Sequence, residues 1–218
     1  AQYEEKQYFP AELAEHRVIG LEHKFSTGLN LRIEAYQKKL SELRPHYIYF
    51  TGSTLNPFGY ANFDILRLEP DGGEAKGFEI YMHNDLGEKF SWWGSYGYAI
   101  AEEEVDGVKI RRDFDQRHTI YIDLKYKPNR KWSLNASWQY HSGWPYTLPK
   151  TEIRKWYADG HYDIKWVPGG PLNAEQFPAY HRLDIRASKY FESSYGQFSA
   201  FVELRNLYNR TNIREYNY

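Results

Sequence analysis

The chain has 218 residues, with 28 Lys plus Arg against 29 Asp plus Glu, no cysteine, and 18% aromatic residues that include 21 Tyr and 7 Trp. A formal charge of −1 gives no basic field for a nucleic-acid partner, and the lack of cysteine excludes disulfides, thiolate metal sites and cysteine nucleophiles. A mean hydropathy of −0.80 would suit a solvated chain, but disordered segments are poor in aromatics, and no run approaches the roughly 18–20 apolar residues of a membrane helix.

The first residues, AQYEEKQYFP, have neither the basic start nor the apolar core of a signal peptide. They are read as the start of a mature product or of a piece of something longer. From there the apolar pattern has a period of two rather than 3.6, which predicts strands. The first strand is expected over Glu15 to Phe25 and turns at Ser26-Thr27-Gly28. The second runs from Leu29 to Gln37, with Leu29, Leu31, Ile33 and Ala35 on one face and Asn30, Arg32 and Glu34 on the other. A long connection, Arg44 to Ala75, leads to a third strand at Lys76 to His83. A tight turn at Asp85 to Lys89 precedes a fourth at Phe90 to Ala101, and a second long connection spans Glu104 to Gln116.

The fifth strand, Arg117 to Tyr126, sets His118, Ile120, Ile122 and Leu124 against Arg117, Thr119, Tyr121, Asp123 and Lys125. Pro128-Asn129-Arg130 turns into the sixth, Trp132 to His141, where Trp132, Leu134, Ala136, Trp138 and Tyr140 oppose Ser133, Asn135, Ser137, Gln139 and His141. The third long connection, Gly143 to Pro178, precedes a seventh strand at Arg182 to Phe191. A turn over Glu192 to Gly196 joins it to an eighth at Gln197 to Leu207, and Arg210 to Tyr218 reads as the start of another loop. No helix is needed.

Short and long connections alternate. In an up-and-down antiparallel sheet, alternate connections lie at the same end, so one rim should carry tight turns and the other long loops. Outer-membrane β-barrels have this asymmetry, and strands of about 10 residues match a tilted crossing of a thin membrane. The predicted fold is therefore all-β, an antiparallel up-and-down transmembrane β-barrel represented by about eight strands. Phe25, Tyr36, Phe90, Trp92, Tyr126, Trp132, Tyr140, Tyr180, Phe191 and Phe198 lie near strand ends, where a barrel places its aromatic girdles. Arg32, Glu34, Asp123, Arg182, Asp184, Arg186 and Glu203 lie opposite the apolar set and would line a polar lumen.

No catalytic constellation is present: the chain has no nucleophile elbow, phosphate-cradling glycine loop or paired-histidine zinc motif. It is read as a non-enzyme with no cofactor or metal of its own. Gly94-Ser95-Tyr96-Gly97 is taken as strand, its small residues facing a crowded lumen. Asp159, His161 and Asp163 alternate, so a local strand would aim them together as possible metal ligands; a solvated loop is the plainer reading. Large flat side chains among a few cations suit ligand capture, which singles out Trp144, Tyr146, Trp156, Tyr157 and Trp166 of the third long connection as candidate solute contacts. The first long connection adds His46, Tyr47, Tyr49, Phe50, Phe58, Tyr60 and Phe63. Packing of the loops on one another is the other use such aromatics serve.

Several segments, in order, resemble the carboxy-terminal part of TonB-dependent outer-membrane receptors. They are Gly20 to Phe25 with the following turn and Leu29 to Tyr36, Ala75 to Ile80, Phe90 to Tyr96, Asp115 to His118, Trp138 to Tyr146, Tyr180 to Asp184 and Phe201 to Asn209. The resemblance implies a piece of a 22-stranded barrel in the outer membrane of a Gram-negative-type bacterium, with the plug domain and final strand absent from residues 1–218. Implied partners are outer-membrane lipid, the plug, the TonB energy-coupling system and a scarce solute such as a siderophore-type metal chelate, a cobalamin or an oligosaccharide. A complete eight-stranded barrel acting as adhesin, anchor or lipid-modifying enzyme is the alternative. It would close its eighth strand onto its first, whereas a piece of a larger barrel would leave both as unpaired edges.

Overall fold

The computed structural model describes residues 9–49 and 65–213. Phe50, Phe58, Tyr60, Phe63 and the residues from Arg214 to Tyr218 lie outside that range. Among the described residues there is no helix. Eight strands pair in chain order: β1 (Leu13–Lys24), β2 (Asn30–Ser41), β3 (Gly72–Leu86), β4 (Phe90–Val105), β5 (His118–Asn129), β6 (Trp132–His141), β7 (Tyr180–Ser193) and β8 (Gly196–Leu204). Every pairing is antiparallel, so the sheet is an up-and-down meander. Among the described residues it is open, because β1 pairs only with β2 and β8 only with β7.

The tight turns fall where turn chemistry predicts. Gly28, Gly87 and Gly196 adopt positive φ values of 87°, 69° and 137°, conformations that cost glycine little and other residues much. Pro128 and Asn129 belong to β5, and a register shift between Tyr126 and Asn129 absorbs them, as a bulge allows proline near a sheet edge or end. β1 to β4 and β7 outrun the expected lengths at the long-loop rim. Residues beyond Tyr98 in β4 have no partner in β5 and pair instead with β3 and with a short strand, Val108–Arg111.

The long connections contain strands of their own. Three two-stranded pieces rise from them: His46–Tyr49 with Ile65–Leu68, Pro145–Tyr146 with Glu175–Gln176, and Pro149–Trp156 with Tyr162–Pro168. At the other end of the chain, β8 stops at Leu204 rather than Leu207. Asn206 turns with φ 55°, its side chain accepting from the Arg210 N–H at 3.1 Å, and Asn212 then brackets the His181 backbone.

The register settles which residues share a face. One unbroken row joins Leu31, Met82, Gly94, Ile122, Trp138 and Leu183, and parallel rows contain Ile33, Ile120 and Tyr140, Leu124, Ala136, Ile185 and Leu204, and Leu134, Ala187 and Val202. The opposite face carries a row of Arg32, Tyr81, Ser95, Tyr121, Gln139 and Arg182, flanked by Asp123, Ser137 and Asp184. Two aromatics depart from the girdle expectation: Tyr36 pairs with Gly77 and Tyr180 with His141, both in polar rows. Of the Gly94 to Gly97 stretch, only Ser95 and Gly97 face the polar side.

No second sheet covers the apolar face. Val202 is 69% exposed and Leu204 52%, and the only buried hydrophobic residues described are Leu68, Ala101 and Ile110, all towards the long-loop rim. A soluble sandwich would bury its apolar rows, so that arrangement is absent among the described residues. Backbone contact is closest at Gly77, where a Cβ would come 2.1 Å from the Tyr98 carbonyl oxygen. Gly77→Ala is therefore expected to force β3 from β4 and lower stability by about 1–3 kcal/mol, read as the urea midpoint in detergent by tryptophan fluorescence. Gly170→Ala, which meets nothing within 4 Å, should leave the midpoint unchanged.

Candidate functional site

The long-loop rim is built on buried polar groups that the sequence reading did not single out. Asp115 is 1% exposed, yet both carboxylate oxygens are satisfied. Oδ1 accepts the Ala101 N–H at 2.7 Å, and Oδ2 meets Arg117 Nε at 2.7 Å. Arg117 also reaches Glu102 at 3.1 Å. The connection between β4 and β5 is thereby fastened to the overhang of β4.

Asn173 performs the same service between loops. Its side-chain amide donates to the Arg111 carbonyl at 2.7 Å and to Asp113 at 2.8 Å, and its N–H donates to Thr147 at 2.9 Å. Arg111 replies by donating to the carbonyls of Asn173 and Ala174. The third long connection therefore stands on the second. An asparagine tolerates the left-handed φ of 51° found here, which a sequence scan cannot distinguish from any loop asparagine.

The five candidate contacts divide into two groups. Trp144 and Tyr146 form the footing of the loop. Trp144 lies against His141, which stacks on Tyr180 at 4.6 Å, and Tyr146 stacks on Phe177 at 4.4 Å. Gly143 permits this footing, since a Cβ there would meet the Phe177 carbonyl at 1.8 Å. Trp156 and Trp166 belong to the distal hairpin Pro149–Trp156/Tyr162–Pro168. There Trp166 pairs with Thr151, Ile164 with Ile153 and Tyr162 with Trp156, and a register shift between Ile153 and Lys155 keeps Trp156 on the same face. Trp156 is 62% exposed, and Tyr162, Ile153 and Ile164 are exposed beside it. Tyr157 turns at the tip, stacked on His161 at 4.4 Å with Lys155 Nζ 4.6 Å from its ring.

The hairpin's opposite side is ionic: Glu152 sits between Lys150 at 3.2 Å and Lys165 at 3.4 Å. Hydrogen bonds from these two lysines hold the Glu152 carboxyl below its ordinary value. The structure thus separates Trp144 and Tyr146 from Trp156, Tyr157 and Trp166, and adds Ile153 and Ile164 to the latter group. Isoleucine at alternate positions looks like ordinary strand pattern, so only the pairing marks these two as surface. His161 pairs with Asp159, the side chain of Asp163 is not described, and no metal-binding cluster occurs among the described residues.

On the polar face the charges neutralise one another locally. Arg32 meets Glu34 at 2.6 Å, Arg182 meets Asp184 at 2.8 Å, and Arg186 meets Glu203 at 3.5 Å. The first two pairs are two residues apart on one strand, the spacing that puts side chains on one face. Asp123 accepts from Asn135 at 2.9 Å and Ser137 at 2.6 Å. Trp93 stacks on Tyr121 at 4.7 Å, so this face also carries an aromatic patch. No known protein family matches the chain, and no curated protein matches it.

Glu103, on the β4 overhang past the end of β5, is buried against the loops. Its carboxylate faces His46 at 3.2 Å and Arg112 at 3.6 Å. Burial pushes its carboxyl above the ordinary value, Asp113 adds to the rise, and His46 and Arg112 oppose it. A raised folded-state value means that the contribution is full below the ordinary carboxylate value of about 4.3 and is lost as pH rises through the raised value. The stability difference between wild type and Glu103→Gln should therefore grow against the wild type with rising pH, measured by thermal unfolding from pH 4 to 8. A pH-independent difference would contradict this assignment.

Proposed function

We propose that the chain is a membrane-embedded part of a TonB-dependent outer-membrane receptor, an energy-coupled importer in the outer membrane of a Gram-negative-type bacterium. One observation carries the reading: on β5 to β7 the apolar face is three side chains deep on each strand and is flanked by rings at both ends of each strand except at Lys189. On β5, Ile120, Ile122 and Leu124 lie between His118 and Tyr126. On β6, Leu134, Ala136 and Trp138 lie between Trp132 and Tyr140, and on β7, Leu183, Ile185 and Ala187 lie between His181 and Lys189. Eight residues span about 27 Å along a strand, which a tilt of roughly 40° reduces to about 20 Å, near the apolar height of an outer-membrane barrel.

The rim chemistry supports the same reading. Tyr96 Oη and His118 Nδ1 lie 2.9 Å apart, and Tyr208 Oη and His181 Nδ1 lie 2.7 Å apart. Such rings present an apolar body with a wet polar tip, as the headgroup level requires. Arg32, Glu34, Asp123, Arg182, Asp184, Arg186 and Glu203 would then line the lumen and hold the plug, while the exposed hairpin face at Trp156 and Trp166 captures solute. The unpaired edges of β1 and β8 favour membership of a larger barrel over a closed eight-stranded one.

The step is binding and translocation, with polar anchors in place of an activated nucleophile or base. Two experiments test the proposal. Ile122→Arg at mid-band should cost about 2–4 kcal/mol of insertion stability and abolish folding into lipid vesicles, whereas Asp123→Asn should still insert. Equal insertion would remove the membrane reading. In cells expressing the receptor, Trp156→Ala with Trp166→Ala should keep the barrel but lose uptake of the cognate solute, and cells lacking the coupling protein should bind solute without importing it. Unchanged uptake in both would exclude the importer.

A further inference from the structure

The apolar face contains a groove. Between β6 and β7, Leu134 pairs with Ala187 and Ala136 with Ile185, so alanine stands beside a large side chain in two successive rows. Leu124 and Tyr126 on one side and Val202 and Leu204 on the other complete a groove of about 410 Å³, within the range of small-ligand sites. Asn135 and Arg186 border it in sequence, but the register turns their side chains to the polar face.

Towards the short-turn rim, the groove ends at a cation. Lys189 pairs with Trp132 one row beyond Leu134 and Ala187, and so belongs to the apolar face. Its ammonium lies 5.3 Å from the Trp132 ring and 5.1 Å from the Phe191 ring. Arg32, Arg182 and Arg186 on the polar face have carboxylate partners. Lys189 has none among the described residues. The adjoining rim adds Lys127 and Arg130, against Glu88 and Glu192, so cations outnumber carboxylates around the groove mouth.

We propose that this groove is a binding site for one anionic glycerophospholipid of the leaflet on the short-turn side, an assignment that rests on the membrane reading above. An acyl chain fills the groove, where its methylenes replace nothing polar. The phosphate oxygens pair with the Lys189 ammonium, which the two rings hold at headgroup depth. Lysine serves phosphate as a point charge, and a phosphate here neutralises the unpaired cation without competing with a carboxylate.

The test uses the whole chain in neutral detergent, with native mass spectrometry to count retained lipid and three probes: phosphatidylglycerol, phosphatidylcholine and inorganic phosphate. Wild type should retain one phosphatidylglycerol in preference to phosphatidylcholine by roughly fivefold, the effect of one lysine near a charged surface. Lys189→Gln should lose that preference and Lys189→Arg should keep it. Ala187→Phe, which fills the groove from the exposed side, should lose retention of both lipids, and inorganic phosphate should displace neither. A wild-type preference for phosphatidylglycerol persisting in Lys189→Gln, undiminished retention in Ala187→Phe, or displacement by inorganic phosphate would each overturn the site. The same proteins are folded into phosphatidylcholine vesicles in parallel. If none inserts, the membrane reading and this site fall together; if all insert without a selective adduct, this site alone falls.

Discussion

An antiparallel ladder forces side chains to alternate, so one pairing error anywhere would carry an entire strand's apolar residues to the wrong side. Seven successive pairings in this sheet keep the phase, from Leu21 opposite Ile33 at one edge to Ile185 opposite Leu204 at the other. That continuity turns eight locally amphipathic segments into two chemically distinct surfaces. The hydrophobic band, the paired charges of the polar face and the groove at Ala136 and Ala187 all inherit their position from it. The bulge between Tyr126 and Asn129 comes after the last apolar residue of β5, where an extra residue does not disturb the band.

The two rims are held by different means. At the short-turn rim, positive-φ glycines reverse the chain at three of the four turns, and at the fourth the Asn129 side chain accepts from the Lys131 N–H. At the long-loop rim, β4 extends beyond β5 and offers backbone to the connections. The Ala101 N–H is taken by Asp115 rather than by a strand. Buried carboxylates and amides are costly unless satisfied, and here Asp115 and Asn173 are satisfied by the loops they hold, which gives those connections one arrangement. Glu103 is the exception, with one oxygen lacking a hydrogen bond, and its raised pKa follows from that burial.

A sheet with an exposed apolar face and open edges is a poor solution in water, since both invite association. In lipid the apolar face is correctly placed, but the unpaired N–H and C=O groups of β1 and β8 would each cost several kcal/mol. The proposed function therefore carries a structural requirement that further strands complete the ladder on both sides. The polar face makes the complementary demand. Its ion pairs and the Trp93–Tyr121 stack suit contact with water or protein, not hydrocarbon.

Alternation and turn residues by themselves determined the eight strands of the meander, the order of short and long connections, and the phase of Leu31, Ile33, Ile122, Leu183 and Leu204 against Arg32, Asp123 and Arg182. These are local properties: a period of two needs no partner to be visible, and neither does a glycine at a turn. Only the tertiary structure decided what depends on which strand meets which. The lengths of β3 and β4 and the separation of Trp144 and Tyr146 from Trp156 and Trp166 come from pairing register and a bulge. So do the fastening of the loops by Asp115 and Asn173 and the meeting of Lys189 with Trp132. Each joins residues distant in sequence, and no single-strand pattern encodes the register that brings them together.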